Sequence, residues 1–470
     1  MLSSPRKRGI FVLGIIMQCP YVIEISYQDP SKIAAFFSKQ TNTIFLDSAQ
    51  LREHCGRYSY VAVDPFATLI CKNLADDPFQ ILAAELAKFP LERYPDLPPF
   101  QGGAAGFFSY DLVHHLEVLN RAEDDMAFPD LALGLYDLVI SFDELLKKSW
   151  IFSSGYPEKN TAQRHKRARE RMTWLQGLLL EVPELPSVSQ VVCDENAIQQ
   201  YFSADTYQAA VKKVIDYILA GDIFEANISQ RFSTSFPADL SPFDLYRRLR
   251  LINPAPFSAY LHIGETIIAS ASPERFLKLT ERAVESRPIK GTRPRGKTSE
   301  EDKLLAQELM QSEKDHAENV MIVDLLRNDL SRVCDDHSVQ VTQLCEIESY
   351  AAVHHLVSVI TGKLQKKYGA VDLLRATFPG GSITGAPKVR AMEIINEIEP
   401  TARGPYCGSI GFIGFNGEMD SSIVIRTFLI KNNIVTFQAG GAVTLDSNPV
   451  EEYEETLTKA RALRRALTQV

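Results

Sequence analysis

Short apolar runs bounded by polar turns alternate along this chain with stretches whose apolar residues recur at helical spacing. Thr43-Ile44-Phe45-Leu46, Tyr60-Val61-Ala62-Val63 and Leu138-Val139-Ile140-Ser141 predict strands. Residues 78–88 read as a helix, and Gly102-Gly103 and Gly106 as turns. Over residues 158–180, charged and then apolar positions predict a longer helix. The Pro/Ser/Val stretch at 182–189 reads as a linker. Beyond it, Ser203-Ala204-Asp205 predicts the cap of a helix running to about Leu219. Further strands are predicted at 257–263, 266–270, 410–415, 423–430 and 434–439, with helices at 299–326, 370–377, 387–397 and 450–467. Strands alternating with helices, without internal repeats, predict an α/β or α+β body.

Composition narrows the class. A chain of 470 residues, 45% hydrophobic and 23% charged, is ordinary for a soluble globular protein and long enough for two or three domains or one large body. The expected division is an extension at 1–19, a first domain at 20–152, a helix and linker at 153–200, and a second domain at 201–467. A net charge of −9 disfavours nucleic-acid binding. The seven cysteines form no C-x-x-C pair, so neither a disulfide framework nor a zinc site is indicated, which fits a reducing cytoplasm. Arg6-Lys7-Arg8 ahead of the apolar residues 9–17 superficially resembles a signal peptide, but no small-residue cleavage site follows. That stretch is also too short to span a bilayer. It is read as an extension, with Met17 an alternative start, and no membrane association is expected.

Candidate chemistry centres on Arg287-Pro288-Ile289-Lys290-Gly291-Thr292-Arg293-Pro294-Arg295-Gly296, which holds one amine among arginines. Like charges disfavour protonation, so Lys290 is expected to be pressed toward its neutral, nucleophilic form. A solvated basic loop is the alternative. Glu452 and Glu455 are three apart near a helix start, and Asp315 and Glu318 repeat that spacing on an earlier helix. Two such pairs suit a hard divalent cation, although acidic residues near helix starts also simply suit the dipole. Glu274 follows a strand and is either an ion-paired surface residue or a general acid tuned by a semi-enclosed site. The Gly-rich segments 378–388 and 438–442 read as ligand cradles or plain turns. The first lacks the phosphate-loop pattern, which leaves a carboxylate ligand as plausible as a phosphate.

Together these residues match a known family. From about Asp205 to Arg464 the chain resembles the chorismate-utilising enzymes: the first components of anthranilate and aminodeoxychorismate synthases, and the isochorismate and salicylate synthases. The resemblance is carried by Ala220-Gly-Asp-Ile-Phe, Asn227-Ile-Ser-Gln-Arg, Ser272-Pro-Glu-Arg-Phe, Ala317-Glu-Asn and Asp324-Leu-Leu-Arg-Asn-Asp. It continues through His355-Leu-Val-Ser, Gly381-Ser-Ile-Thr-Gly-Ala-Pro-Lys, Gly404-Pro-Tyr-Cys-Gly and Glu452-Tyr-Glu-Glu-Thr. Phe100-Gln-Gly-Gly-Ala and Phe108-Ser-Tyr-Asp resemble the family's N-terminal domain. The implied fold is α+β, anthranilate synthase component I-like, with two packed β-sheets flanked by helices and a chorismate-binding catalytic domain at 201–467.

The resemblance also implies a reaction. Anthranilate synthases look like P-I-A-G-T where this chain has Pro288-Ile-Lys290-Gly-Thr, and one group of aminodeoxychorismate synthases carries the lysine. Lys290 would then attack chorismate at C2, Glu274 would protonate the departing C4 hydroxyl, and His355 would orient that hydroxyl. Ammonia would follow at C4 and expel Lys290, giving 4-amino-4-deoxychorismate for p-aminobenzoate and folate synthesis. Mg²⁺ would be held by Glu318 and Glu455, with Asp315 and Glu452 helping. Arg426 and Tyr406 would grip a substrate carboxylate, and Thr384, Gly440 and Gly441 would complete the pocket. Glu225 departs from the glutamine usual in amine-adding members. No amidotransferase cysteine motif is present, so a separate glutamine amidotransferase subunit, forming a heterodimer, would supply the ammonia. Leu46, Ser48 and Tyr58 fall where the family carries a tryptophan site, implying a tryptophan ligand or an empty pocket. Anthranilate synthesis and a catalytically silent chorismate-binding subunit are the alternatives.

Overall fold

The computed structural model describes residues 19–51, 55–72, 75–349 and 353–469. The signal-like stretch and Met17 lie outside them.

Most of the predicted short apolar runs form strands of two large antiparallel sheets. The larger has 12 strands, running from Tyr21–Ile25 through Lys148–Ser153, Leu138–Asp143, Tyr58–Ala62 and Thr43–Asp47 to Phe257–Ile263 and Thr266–Ser272. It continues through Thr427–Lys431, Ile434–Val443 and Glu225–Ser235 to Gly385–Ala386. The smaller has 10 strands and places Ile289–Pro294 at one end and Ala67–Cys71 at the other. Strands from both halves of the sequence contribute to each sheet.

Alternation along the strands explains how the layers pack. Ile44, Tyr60, Ala62, Ala259 and Leu261 face the core shared with the smaller sheet. Their neighbours Phe45, Val61 and Tyr260 face a second core, with Leu245, Leu249 and Leu463 of the covering helices Pro242–Ile252 and Pro449–Thr468. Burial on both faces is why these strands read as continuous apolar runs. Phe100 sits between the sheets, its ring stacked on Phe412 of the smaller sheet and edge-on to Tyr60 of the larger.

Local chemistry sets the helix ends. Ser203 caps Ala204–Leu219 through the Thr206 amide. The helix expected over 299–326 is two helices, Ser299–Gln311 and Glu313–Ser331, because Ser312 takes an extended conformation and caps the second through the Asp315 amide. The strand expected over 423–430 also divides: Met419–Ile423 belongs to the smaller sheet and Thr427–Lys431 to the larger. The chain crosses between the sheets at 424–426. It crosses again at Pro273-Glu274, between Thr266–Ser272 and Arg275–Thr280. Ser272 Oγ donates to the Ile423 carbonyl at 2.6 Å, and the Ile423 amide to the Glu274 carbonyl at 3.1 Å, so the two crossings are tied together.

Phe100→Ala should lower the unfolding free energy by about 3–5 kcal/mol, because it empties a fully buried site between the sheets. Urea unfolding followed by fluorescence measures this; a loss within error would mean the sheets are held together elsewhere.

Candidate active site

Lys290 lies on Ile289–Pro294, the end strand of the smaller sheet, and is buried. The register slips between Lys290 and Thr292, with Gly291 at φ +78°. A Cβ at Gly291 would meet Asp315 and Leu309 at 2.9 Å, so glycine lets this bulge pack against the helices. Across the gap, Nζ donates to Glu225 Oε1 at 2.6 Å and lies 4.0 Å from Glu318.

This arrangement corrects the expectation that neighbouring arginines neutralise Lys290. Arg287 pairs with Glu348, Arg293 with Glu308 and Asp315, and Arg295 with Asp302. Burial works to lower the amine's pKa, but the Glu225 and Glu318 carboxylates outweigh it, and Lys290 is held above the ordinary lysine value. In the free chain it is a cation. Flanking sequence missed this because the controlling charges come from elements 65 and 28 residues away by number, Glu225 and Glu318.

Glu274 occupies the first sheet crossing. It is buried, accepts from Ser382 Oγ at 2.6 Å, and is pushed up to about 7 by burial, offset in part by the Ser382 bond and Lys290. A carboxyl near 7 can hold a proton to donate at neutral pH. Ser382, which positions it, was not singled out in the sequence. Arg426 occupies the second crossing at φ +55°. Burial lowers its pKa, and its guanidinium donates to the Lys459 carbonyl at 2.7 Å. A desolvated guanidinium without a carboxylate partner suits an anionic ligand. Tyr406 is buried, its phenol raised well above its usual value by burial, and lies beside the buried Arg403. Thr384 donates its hydroxyl to the Gly380 carbonyl at 3.0 Å, leaving only its lone pairs for a ligand. His355 pairs its Nδ1 with Thr292 Oγ1 at 2.8 Å.

The acidic candidates do not form one compact cluster. Asp315 faces Arg293, 3.3 Å away, on the Ile289–Pro294 strand. It also acts on Glu318, one turn along the same helix, while Glu452 and Glu455 flank Gly441 and Lys314 feels Glu318, Glu452 and Glu455. A Cβ on Gly441 would lie 2.9 Å from Glu452 and 3.3 Å from Glu455, so glycine here spares these carboxylates a shift. Gly440, its neighbour, accepts from Lys459 Nζ at 2.8 Å, and Lys459 also pairs with Glu455 at 2.5 Å. Burial pushes Glu318 up to about 7 and raises Glu452. Burial raises Glu455 too, but Lys459 more than offsets it and the carboxyl sits below its usual range. Among the described residues no three such groups are already close enough to ligate one ion. Yet all three are oxygen donors, and Glu452 Oε2 is buried without a hydrogen-bond partner, so the donor set fits a hard cation. Lys314 and Lys459 were missed in the sequence; their i,i+4 spacing to Glu318 and Glu455 was the available signal.

Leu46, Ser48 and Tyr58 line a separate cavity of about 410 Å³ with Arg57, Arg93 and Asp420. Ser48 Oγ donates to the Tyr58 carbonyl at 2.6 Å. Asp47 turns away to Tyr246 and Arg250.

Residues 41–465 match the model of the chorismate binding enzymes, and the chain belongs to that family. It is 43% identical to anthranilate synthase component 1 of Thermus thermophilus, covering 83% of this chain and 82% of that one. To aminodeoxychorismate synthase component 1 of Bacillus subtilis it is 40% identical, over 88% and 89%. The crystal structure of anthranilate synthase component I from Streptococcus pneumoniae superposes with a TM-score of 0.77 at 32% identity, covering 88% of this chain and 94% of that one. The fold is therefore α+β, anthranilate synthase component I-like. The structure of the menaquinone-specific isochorismate synthase of Escherichia coli shares it, with a TM-score of 0.72 at 18% identity, over 97% and 96%. The chain is thus a chorismate-utilising enzyme, related to the first components of two-component synthases. No helix among the described residues is long and apolar enough to cross a membrane.

A carboxyl raised from 4.5 to about 7 stabilises the fold most below about pH 4.5 and loses that contribution as pH rises through about 7. Glu274→Gln should therefore flatten the fall in stability between those values. Urea unfolding of both proteins across this range tests it, and parallel curves would contradict the buried, proton-holding state.

Proposed function

We propose that this protein aminates chorismate to 4-amino-4-deoxychorismate through a covalent Lys290 intermediate, within p-aminobenzoate and folate synthesis. The observation that carries the reading is Lys290 itself: a buried amine between Glu225 and Glu318 and within electrostatic reach of the proton-holding Glu274. Glu225 is the nearest acceptor for the proton Lys290 must release before attacking C2. Glu274 delivers its proton to the departing C4 hydroxyl, with His355 orienting that oxygen. Ammonia then bonds to C4 while the C2–Nζ bond breaks and its electron pair returns to Lys290. Dividing one hard displacement into two is the gain from the covalent step. Arg426 and Tyr406 hold a substrate carboxylate, and Thr384, Gly440 and Gly441 complete the pocket.

Mg²⁺ is the proposed cofactor, held by Glu318 and Glu455, with Asp315 and Glu452 helping. Bound there, the ion would polarise the ring carboxylate of chorismate. A glutamine amidotransferase subunit is the proposed ammonia source, which the component 1 names of the relatives support. The free cysteines fit the proposed cytoplasmic setting. Anthranilate synthesis is the second reading, favoured by the 43% identity to an anthranilate synthase component.

Incubation with chorismate, Mg²⁺ and ammonium should yield a product that an added lyase converts to p-aminobenzoate. Lys290→Ala should lose this product at least about a thousandfold. Fluorescent anthranilate from the wild type would replace the first reading by the second.

Tryptophan is the proposed ligand of the second cavity, whose volume suits a small molecule and whose walls offer both guanidinium and carboxylate groups to an amino acid. It should be recovered by mass spectrometry from the denatured protein, or bind one-to-one in calorimetry. Ser48→Phe, which fills the cavity, should remove either signal. Neither signal from the wild type would discard the ligand.

A further inference from the structure

Two lysines attend the carboxylates around Gly441, and they differ. Lys459 is anchored on both sides, to Glu455 and to the Gly440 carbonyl. Lys314, in the first turn of Glu313–Ser331, reaches Glu452 Oε1 at 3.4 Å across to the Pro449–Thr468 helix. Its side chain is 45% exposed, whereas that of Glu452 is 3% exposed. Its ammonium also feels Glu318 and Glu455, so it stands against all three carboxylates from the solvent side. Glu452 Oε1 is held independently by Ser447 Oγ at 2.6 Å, while Oε2 is buried without a partner. The carboxylate therefore keeps its place when Lys314 leaves, and the long lysine stem can swing its charge into water.

We propose that Lys314 is an internal competitor for the divalent cation: it neutralises Glu452 in the metal-free chain and is released to solvent when the cation binds. A cation entering beside Glu452 meets an ammonium at hydrogen-bond range, and two positive charges cannot share one carboxylate in a semi-buried site without repulsion. Lys314 thereby sets the cation concentration at which the site fills and shields buried carboxylates from each other until then. The inference rests on the Mg²⁺ assignment made above.

The test uses the full-length chain and Mg²⁺ alone. In calorimetry, Lys314→Met should bind Mg²⁺ at least about tenfold more tightly than wild type, the worth of one charge-assisted contact. Lys366→Met, which removes an exposed charge outside the site, should bind as wild type does. The gain should persist in about 0.5 M KCl, where distant charges are screened. A second readout needs no variant. Acetylation of Lys314 by an amine-reactive ester, followed by mass spectrometry, should speed up when Mg²⁺ is added, while Lys366 labelling stays constant. Equal or weaker binding by Lys314→Met, or Lys314 labelling indifferent to Mg²⁺, overturns the proposal. Glu455→Gln separates the two levels. If it binds Mg²⁺ as wild type does, or if no form binds, the cation assignment fails and this inference with it. If it loses Mg²⁺ while Lys314→Met gains nothing, only the role of Lys314 is wrong.

Discussion

The ion pair between Lys290 and Glu225 joins the two sheets at the site, and the remaining chemistry is arranged around it. Lys290 comes from the end strand of the smaller sheet and Glu225 from the penultimate strand of the larger. Both are buried, so their desolvation cost is high and is repaid only while they stay together. A buried pair of this kind adds little to net stability, but separating its members is costly, and that asymmetry holds the cleft to one width. The cost also explains the packing around it. Gly291 bulges to bring Lys290 across, and the Gly385–Ala386 strand pairs with Glu225 on the other side.

Around this pair, similar side chains take different states because their surroundings differ. Glu274 is desolvated more than the Ser382 hydroxyl, the Lys290 ammonium and the Ile289 backbone offset, so it retains a proton near neutrality. Glu455 is also buried but paired with Lys459, so it ionises more readily than usual. Burial raises Glu318 as far as Glu274, to about 7, and raises Glu452 too, with the Lys314 ammonium working against it at both. A site that needs one acid and several anionic ligands can thus be built from glutamates alone. Arg426 is the complement: a buried guanidinium on the left-handed turn between the sheets, whose cost of desolvation outweighs the pull of Glu455.

The parts of this fold that were legible in the sequence were local ones. Ser203 announced its helix, and the helix at 370–377 appears at those residues because its apolar spacing and flanking glycine leave little choice. The strand Phe257–Ile263 was equally clear. Two long strands, one in each sheet, were not. Val353–Lys363 mixes histidine, serine and apolar residues, and Glu225–Ser235 is rich in polar groups, because these strands line the site and bury polar side chains on it. Ser312 divides one periodic stretch into two helices by capping, a choice that helical periodicity alone does not reveal.

Residue types and their order made Lys290, Glu274 and the paired carboxylates candidates, and the resemblance to a family chose among their readings and added Arg426. Their electrical states were decided by tertiary structure. Lys290 sits among arginines in the sequence yet is governed by two glutamates in space. Glu274 becomes an acid only because two sheets close over it, and Asp315 finds in Arg293 a partner that its own helix does not supply. Covalent sequence determines which groups are present. Desolvation and Coulomb energy depend on what surrounds each group, which exists only once distant strands have met.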